Sequence, residues 1–306
     1  MGYLFGPVPS RRLGLSLGVD IVPLKTCSLS CVYCQIGKTP ETTILRREYV
    51  PAAEILSEIK TRLENGLQTD WITFSGSGEP TLNSGIGDMI KGIRELTDIP
   101  VCVITNGTLL WDPQVRSDIL DADAVMPSLD SAVESTFRAI CRPHHDLNLE
   151  YIIDGLIRFR REYKRKIWLE IMLLEGINDN EKELAALKSA VEKISPDSIQ
   201  LNTVVRPPAE LLAKPLSHER LLEIRDFFGN KAEIIASFKK NSIITKSSDE
   251  DGIREYLKRR PGTTEDISVS LGIPESETES LLRKIHDSGE IRQTNIFGKQ
   301  FWEYNI

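Results

Sequence analysis

Short apolar, β-branched runs alternate with longer helical patterns from Leu17 to about Gly229, and this alternation constrains the fold more than any other feature of the chain. Strands separated by helices predict parallel pairing, because a parallel neighbour is reached only through a crossover connection. We place six strands at Leu17–Val22, Trp71–Phe74, Val101–Thr105, Ala124–Pro127, Ile167–Leu173 and Ser198–Val205. Six β/α units are fewer than the eight that close a full barrel. The sequence therefore predicts an α/β protein built on a partial (β/α)6 TIM-type barrel with a lateral opening.

A polar stretch around Lys239 to Gly252 interrupts this pattern and predicts a domain boundary. We expect the barrel to occupy residues 1–238, a linker residues 239–251, and a small second domain residues 252–306. In that second domain, three helical patterns are followed by two short strands around a turn at Phe297–Lys299. Three helices followed by a terminal hairpin are typical of a winged helix-turn-helix domain.

Three of the five cysteines, Cys27, Cys31 and Cys34, lie on one short segment directly after the first predicted strand. One loop can therefore bring three thiolates to a single metal centre. On a four-iron cubane, three protein ligands leave one iron open to an outside ligand. A closed zinc site takes four ligands, usually in close pairs. His144 and His145 are candidates for a fourth ligand but are distant in sequence, so the spacing favours a 4Fe–4S cluster over zinc.

The Cys-x-x-x-Cys-x-aromatic-Cys motif, with Tyr33 in the aromatic position, resembles that of the radical S-adenosylmethionine (SAM) superfamily. The resemblance extends from Leu17 to roughly Arg206. It implies that the open iron binds the amino and carboxylate groups of the methionine moiety of SAM. It further implies that one electron cleaves the bond between sulfur and C5′, and that the 5′-deoxyadenosyl radical then abstracts hydrogen from a substrate.

The N-terminal run from Phe5 to Gly14, followed by Asp20, Lys25 and Gln35, is similar to a branch of the superfamily grouped near the tRNA wyosine synthases. Those enzymes carry additional N-terminal cysteines for a second cluster, and this chain has none before Cys27. The resemblance therefore implies radical SAM chemistry without implying the tRNA reaction.

Ligands of α/β barrels bind at the carboxyl ends of the strands, where this sequence places glycines and polar residues. The segment after the second strand is similar to the Gly-Gly-Glu segment of the superfamily, which implies that Gly78 and Glu79 hold the methionine amino group. The residues expected to bind the cofactor are Tyr33, Gly76, Gly78, Glu79, Asn106, Ser128, Asp130, Glu170 and Asn202. No residue is singled out as catalytic.

Several of these residues have an alternative, purely structural interpretation. Asn106, Ser128 and Asp130 are also suited to cap helices, and Glu170 and Asn202 could face either the lumen or the helices. Arg11 and Arg12 could bind a phosphate or carboxylate at the barrel mouth, or lie solvated on an N-terminal arm. Cys102 and Cys141 are expected to be ordinary buried thiols. Asn178 and Glu181 form a candidate capping box.

The net charge of −7 gives no general attraction for nucleic acid. The presumed recognition helix begins with the acidic run Glu275–Glu279, which makes duplex DNA an unsuitable partner. Because the sequence has no signal h-region and no run of eighteen apolar residues, we expect a cytoplasmic protein with no membrane partner.

The sequence thus predicts a radical SAM enzyme acting on a peptide, protein or RNA and receiving electrons from a low-potential donor of the flavodoxin or ferredoxin type. Two other functions remain open. A glycyl-radical enzyme activase would share the cluster and the glycine-glutamate loop. A winged-helix transcription regulator would use the cluster as a sensor.

Overall fold

The computed structural model describes residues 2–235 and 250–305 of the chain. Strands in these residues form one open sheet whose spatial order follows the chain order. They are β1 (Leu4–Ser10), β2 (Gly14–Val19), β3 (Trp71–Phe74), β4 (Val101–Thr105), β5 (Ala124–Pro127), β6 (Lys166–Leu173), β7 (Ser198–Thr203) and β8 (Ala232–Ile234). β1 pairs antiparallel with β2, and each later pair is parallel. The fold is therefore α/β with a mostly parallel sheet, consistent with a partial barrel.

Helices fill the connections between the parallel strands and bury their apolar faces in the main hydrophobic core. They are α1 (Ala52–Glu64), α2 (Ile86–Leu96), α3 (Pro113–Asp118), α4 (Glu134–Cys141), α5 (Leu149–Glu162), α6 (Glu181–Ile194) and α7 (His218–Phe228). In α2, for example, Ile86, Met89, Ile90 and Ile93 recur at intervals that place them on one face, and all are fully buried. This helical spacing of apolar residues is the sequence pattern that predicted the helices between the strands.

The six predicted strands are present, β3, β4 and β5 with the predicted bounds and β2, β6 and β7 with altered ones, and two further strands extend the sheet at its edges. The first predicted strand begins earlier, at Gly14, and ends at Val19. β1 was not predicted because it contains Pro7 and Pro9, which lack an N–H donor and are tolerated mainly at sheet edges. β8 has three residues, too few to show a periodic pattern.

The N-terminus of α6 differs from the prediction. Asn180 is its cap, and its side-chain oxygen accepts a hydrogen bond of 3.2 Å from the backbone N–H of Glu183. Asn178 is buried instead, and its Nδ2 donates to the carbonyl oxygens of Asp130 at 2.7 Å and Met172 at 2.8 Å. The capping box predicted at Asn178 is therefore wrong, because this side chain joins the ends of β5 and β6.

The turn between β1 and β2 enters the interior of the curved sheet. Leu13 is 3% exposed and packs with Met126 of β5. The guanidinium of Arg12 forms an ion pair with Glu170 of β6, and both side chains are largely buried. The N-terminal hairpin thus fills part of the barrel lumen.

Arg11 connects the two ends of the open sheet. Its Nη1 donates hydrogen bonds of 3.1 Å to Oδ1 of Asn202 in β7 and of 3.1 Å to the carbonyl oxygen of Ile235, just after β8. Within the described residues, β1 and β8 do not pair directly. An arginine side chain therefore bridges the gap that strand pairing leaves open.

The C-terminal segment forms its own small unit. It contains α8 (Glu250–Arg259), α9 (Thr264–Leu271), α10 (Glu275–Asp287) and an antiparallel hairpin of β9 (Ile291–Ile296) and β10 (Lys299–Tyr304). Its hydrophobic core includes Ile253, Ile267, Leu282 and Ile285 and is separate from the core of the sheet. α8 begins within the predicted linker, whose residues 239–249 lie outside the described part of the chain.

Residues of this unit also contact the sheet. The guanidinium carbon of Arg259 lies 5.0 Å from the centre of the Phe5 ring in β1, and α9 packs near β1. In the described ranges, every helix is too short or too polar to cross a membrane.

Candidate active site

A cavity of about 630 Å³ lies between the inner side of the sheet, the cysteine loop and the C-terminal unit. It is lined by the three cysteines of the motif and by eight of the nine residues expected to bind the cofactor. Asp130 is the exception and lies behind Tyr33. The structure thus brings the predicted residues to one place, which is large enough for a small-molecule ligand.

The cysteine loop is fixed by backbone hydrogen bonds to the end of α4. The N–H of Val32 donates to the carbonyl oxygen of Ile140 at 2.9 Å, and that of Ser30 donates to the carbonyl oxygen of Cys141 at 3.0 Å. These carbonyls lie in the last turn of the helix, where they have no partner within the helix. The loop therefore completes α4, and the helix in turn holds the loop.

A single zinc ion requires its sulfur ligands to lie close to one another. Ligands at 2.3 Å from one tetrahedral ion lie about 3.8 Å from each other. Among the described residues, the group of three candidate ligand atoms within 4.8 Å of one another is that of His144, His145 and Asp146, and it contains no cysteine. Three thiolates on one short loop suit a cluster whose ligands bind different irons.

The two histidines do not complete the cysteine site. His145 and Asp146 are exposed, and none of the three residues from His144 to Asp146 lines the cavity. Each histidine instead lies within 4 Å of the Asp146 carboxylate.

Burial raises the pKa of the Cys27 and Cys34 thiols above the usual value. For Cys34, the nearby ammonium of Lys25 acts in the opposite direction and favours the thiolate. Lys25 itself has a pKa lowered by burial, and its Nζ has no hydrogen-bond partner among the residues that the structure describes. Nδ2 of Asn106 also points at the sulfur of Cys27, 3.6 Å away. Cationic and N–H groups therefore face two of the three sulfurs and suit thiolate ligands.

The glycine-containing loop after β3 packs closely against the cysteine loop. A Cβ atom on Gly78 would lie 2.0 Å from the carbonyl oxygen of Thr26, so only glycine fits there. The same carbonyl oxygen accepts a hydrogen bond of 3.0 Å from the N–H of Glu79. Gly76 has a φ of +135°, and a Cβ there would meet the carboxylate of Asp20. Both glycines are therefore required by the close approach of neighbouring protein groups.

Glu79 is 2% exposed and connects this loop to the end of β4. Its Oε1 accepts hydrogen bonds from the N–H and hydroxyl of Thr81 and from the hydroxyl of Thr105. Its Oε2 accepts one from the N–H of Asn106 at 2.7 Å. Burial raises the pKa of Glu79, and these hydrogen bonds favour its ionised form. Since a carboxylate oxygen can accept about two hydrogen bonds, Oε2 retains one acceptor position.

The strand-end residues do not cap helices. The cap of α3 is Asp112 and that of α4 is Val133. The side chain of Asn106 donates to Ser28 at 2.9 Å and accepts from the N–H of Thr108 at 3.0 Å. Asn106 is thus a connector between β4 and the cysteine loop.

Tyr33 is held from behind by Asp130. The phenol donates a hydrogen bond to Oδ2 of Asp130, whose Oδ1 accepts a hydrogen bond of 2.9 Å from the N–H of Met172. Burial raises the pKa of Asp130 to about 6, despite these hydrogen bonds. Burial, followed by the nearby Asp130 charge, raises the pKa of Tyr33 well above its usual value. The Tyr33 ring therefore faces the cavity in a fixed position.

Glu170 and Asn202 face the cavity but already have partners from the N-terminal hairpin. Glu170 is paired with Arg12, and Asn202 accepts a hydrogen bond from Arg11. Nδ2 of Asn202 also donates to Oε1 of Glu170 at 3.4 Å. Neither arginine lies on a solvated arm.

Sequence reasoning missed two contributors to the site. Asp20, at the end of the Gly-Val-Asp run after β2, accepts hydrogen bonds from the N–H and hydroxyl of Ser77 and so holds the glycine loop. Lys25 donates its backbone N–H to the carbonyl oxygen of Ser77 at 2.8 Å, while its ammonium turns toward the cysteines. Both residues are part of the N-terminal resemblance, which assigned them no role in the site.

Comparison with known proteins shows the family of this chain. The profile of the radical SAM superfamily matches residues 21–187, which is more than half of the chain, and the chain belongs to that superfamily. Membership implies an enzyme that uses SAM and a 4Fe–4S cluster for radical chemistry and that receives electrons from an external donor.

Two relatives match nearly the whole chain. The UPF0026 protein MJ1312 of Methanocaldococcus jannaschii is 36% identical over 313 residues, which cover 100% of this chain and 97% of that protein. A protein of Brachyspira hyodysenteriae named GTPase Obg is 40% identical over 309 residues, which cover 99% of this chain and 45% of that protein. This chain thus spans less than half of the second relative.

Among solved structures, that of TYW1 with a lysine-pyruvate adduct bound has a TM-score of 0.54 and 17% sequence identity, covering 73% of this chain and 75% of that one. At this identity the similarity shows a shared fold and carries no substrate with it.

Proposed function

We propose that the chain reductively cleaves SAM and uses the resulting 5′-deoxyadenosyl radical to abstract a hydrogen atom from a substrate that enters the cavity. The observation that carries this proposal is the convergence of the three motif cysteines and the Gly76–Glu79 loop on one cavity. We further propose that the electron donor is of the flavodoxin or ferredoxin type.

Cys27, Cys31 and Cys34 would hold the cluster, which supplies the electron that cleaves a carbon–sulfur bond of SAM. The free acceptor position on Oε2 of Glu79 suits an ammonium donor, such as the amino group of the methionine moiety. The close packing of Gly78 on Thr26 keeps this carboxylate beside the cysteine loop.

The other residues proposed to bind SAM are those that line the same cavity. They are Tyr33, Gly76, Gly78, Asn106, Ser128, Glu170 and Asn202, with Asp130 acting through Tyr33. Tyr33 offers a fixed aromatic face to the cavity. Glu170 and Asn202 would form part of the wall that contacts SAM. Arg12 pairs with the charge of Glu170, and Arg11 donates a hydrogen bond to Asn202.

We also propose that residues 252–306 are a winged helix-turn-helix domain, joined by residues 239–251 to a barrel domain of residues 1–238. The support is the order of three helices and an antiparallel hairpin around a separate core. The first turn of α10 exposes Glu275 and Glu277, which does not suit duplex DNA. Tyr256, Arg259 and Arg260 line the cavity instead, so this unit would cover the barrel mouth.

The test is anaerobic. Purified protein is reconstituted with iron and sulfide, reduced with dithionite in the presence of SAM, and assayed for 5′-deoxyadenosine. We expect product from the wild type and from a Cys102→Ala control, because Cys102 is buried away from the cavity. We expect none from Cys31→Ala, which removes one cluster ligand. Absence of product from the wild type, or equal product from Cys31→Ala, would refute the proposal.

A further inference from the structure

The cavity has the opposite charge to the protein as a whole. The chain carries a net charge of −7, yet among the described residues seven lysine or arginine side chains line the cavity against three glutamates. Two of these glutamates are already ion-paired, Glu170 with Arg12 and Glu255 with Arg259. The third, Glu79, is the carboxylate proposed to face the amino group of SAM. The lining is therefore strongly cationic.

The cofactors do not offset this charge. SAM brings a sulfonium and an ammonium against one carboxylate, and so adds a positive charge. An oxidised 4Fe–4S core with three thiolates has a single negative charge, and it would lie at the cysteines, which the ammonium of Lys25 already faces. The cationic side chains that line the described part of the cavity suit an anionic group on the substrate.

Three arginines from separate parts of the chain lie on one side of the cavity. Arg11 comes from the β1–β2 turn, Arg206 follows β7, and Arg260 follows α8. Arg206 is 7% exposed, and its Nη1 donates to Oε1 of Gln35 at 3.4 Å. Because Gln35 directly follows Cys34, this arginine lies close to the cysteine loop.

These guanidinium groups are near enough to affect one another. Burial lowers the pKa of Arg11 to about 10, and repulsion from Arg206 contributes to the shift. Burial also lowers the pKa of Arg260, again with repulsion from Arg206. The guanidinium of Arg260 lies 4.7 Å from the centre of the Tyr256 ring, which orients it. Guanidinium groups held this close to one another favour the binding of an anion between them.

We propose that Arg11, Arg206 and Arg260 bind a phosphate group of a nucleotide-sized substrate. Several guanidinium groups around one site suit the several oxygens and the double charge of a phosphate. The size follows from the cavity, whose volume is that of a small-molecule pocket and whose lining includes residues of α8 and α9. This inference rests on the proposed function, since it names the substrate of the same site.

The experiment measures binding of inorganic diphosphate by calorimetry to the reconstituted, oxidised full-length protein with SAM present. The variants are Arg206→Gln and Arg260→Gln. Arg158→Gln is the matched control, because Arg158 is an exposed arginine on α5 paired with Asp154 and lies outside the cavity. We expect the Kd for diphosphate to rise at least tenfold in the first two variants and to be unchanged in the control.

Two comparisons test the chemistry and size of the ligand. Malonate should bind more weakly than diphosphate, and a mononucleotide should displace diphosphate better than a single-stranded oligonucleotide. Lack of diphosphate binding by the wild type, equal affinities in all variants, tighter binding of malonate, or displacement by the oligonucleotide alone would overturn the inference.

The two proposals can fail separately, because diphosphate binding is measured without reductant. A wild type that binds diphosphate but forms no 5′-deoxyadenosine refutes the proposed function only. If Arg206→Gln does not fold, as judged by circular dichroism, the result from Arg260→Gln decides, since Arg260 lies in the C-terminal unit.

Discussion

The phenol of Tyr33 donates a hydrogen bond to the carboxylate of Asp130, and this contact joins the cysteine loop to the segment after β5. Asp130 is 3% exposed and also accepts the N–H of Met172 in β6. A buried acceptor that loses its donor keeps the cost of its desolvation. The hydroxyl group of Tyr33 therefore links the loop to two strand ends, in addition to the backbone hydrogen bonds that hold the loop on α4.

We expect Tyr33→Phe to lower the free energy of unfolding by about 1–3 kcal/mol, because it leaves a buried carboxylate oxygen without that donor. The measurement is urea denaturation followed by circular dichroism. Tyr151→Phe is the matched control, since Tyr151 is 65% exposed. Equal stability of the two variants would show that the hydrogen bond from Tyr33 to Asp130 does not stabilise the fold.

The elevated pKa of Asp130 predicts a specific pH dependence of stability. The carboxyl has a pKa of about 6 in the folded protein and about 3.9 when unfolded. Its stabilising contribution is therefore complete below about pH 4 and is lost as the pH rises through about 6. Between pH 4.5 and 7.5, the wild type should lose about 2 kcal/mol of stability relative to Asp130→Asn.

Urea denaturation of both proteins at the two pH values measures this difference, and the other ionisable groups cancel because the two proteins share them. A stability difference that does not change with pH would show that the Asp130 carboxyl does not titrate in this range.

The buried pair of Arg12 and Glu170 predicts a non-additive mutation cycle. Their side chains are 10% and 14% exposed. Removing one partner leaves a buried charge, so Arg12→Met or Glu170→Met should each cost about 3–5 kcal/mol, and the double variant should recover much of that loss. The exposed pair Arg158 and Asp154 serves as control, with an expected coupling below about 0.5 kcal/mol. Additive losses at Arg12 and Glu170, measured by urea denaturation, would refute the ion pair.

The close contact of Gly78 with the carbonyl oxygen of Thr26 predicts that Gly78→Ala displaces the cysteine loop and retains several-fold less iron after reconstitution. Gly66→Ala is the control. Gly66 has a φ of +78°, so alanine there is strained by about 1–2 kcal/mol, but nothing lies within 4 Å of its Cβ position. Iron and sulfide analysis compares the two, and equal iron content would show that the contact does not matter.

Much of the barrel could be predicted from the sequence because strands such as Val101–Thr105 and Ala124–Pro127 are buried apolar runs bounded by turn residues. The edge strands could not. Pro7 and Pro9 are atypical of a strand, so β1 was not predicted, and β8 is too short to show a periodic pattern of apolar residues.

Candidate site residues were predictable where a motif fixed their position after a strand, as for Glu79 and Asn106. Their partners were not predictable. The ion pair of Arg12 with Glu170 joins residues that are remote in sequence and meet only when the hairpin enters the lumen. The role of Asn178 was misjudged for the same reason, since its partner Asp130 lies on another strand end.

The central claim is that three cysteines hold a 4Fe–4S cluster with one iron open to SAM. The most direct measurement is the electron paramagnetic resonance spectrum of the reduced protein, recorded anaerobically before and after SAM is added. We predict a 4Fe–4S signal whose g values and line shape change with SAM, and no such signal in Cys31→Ala. A signal that SAM leaves unchanged, or zinc bound in place of iron, would contradict the account.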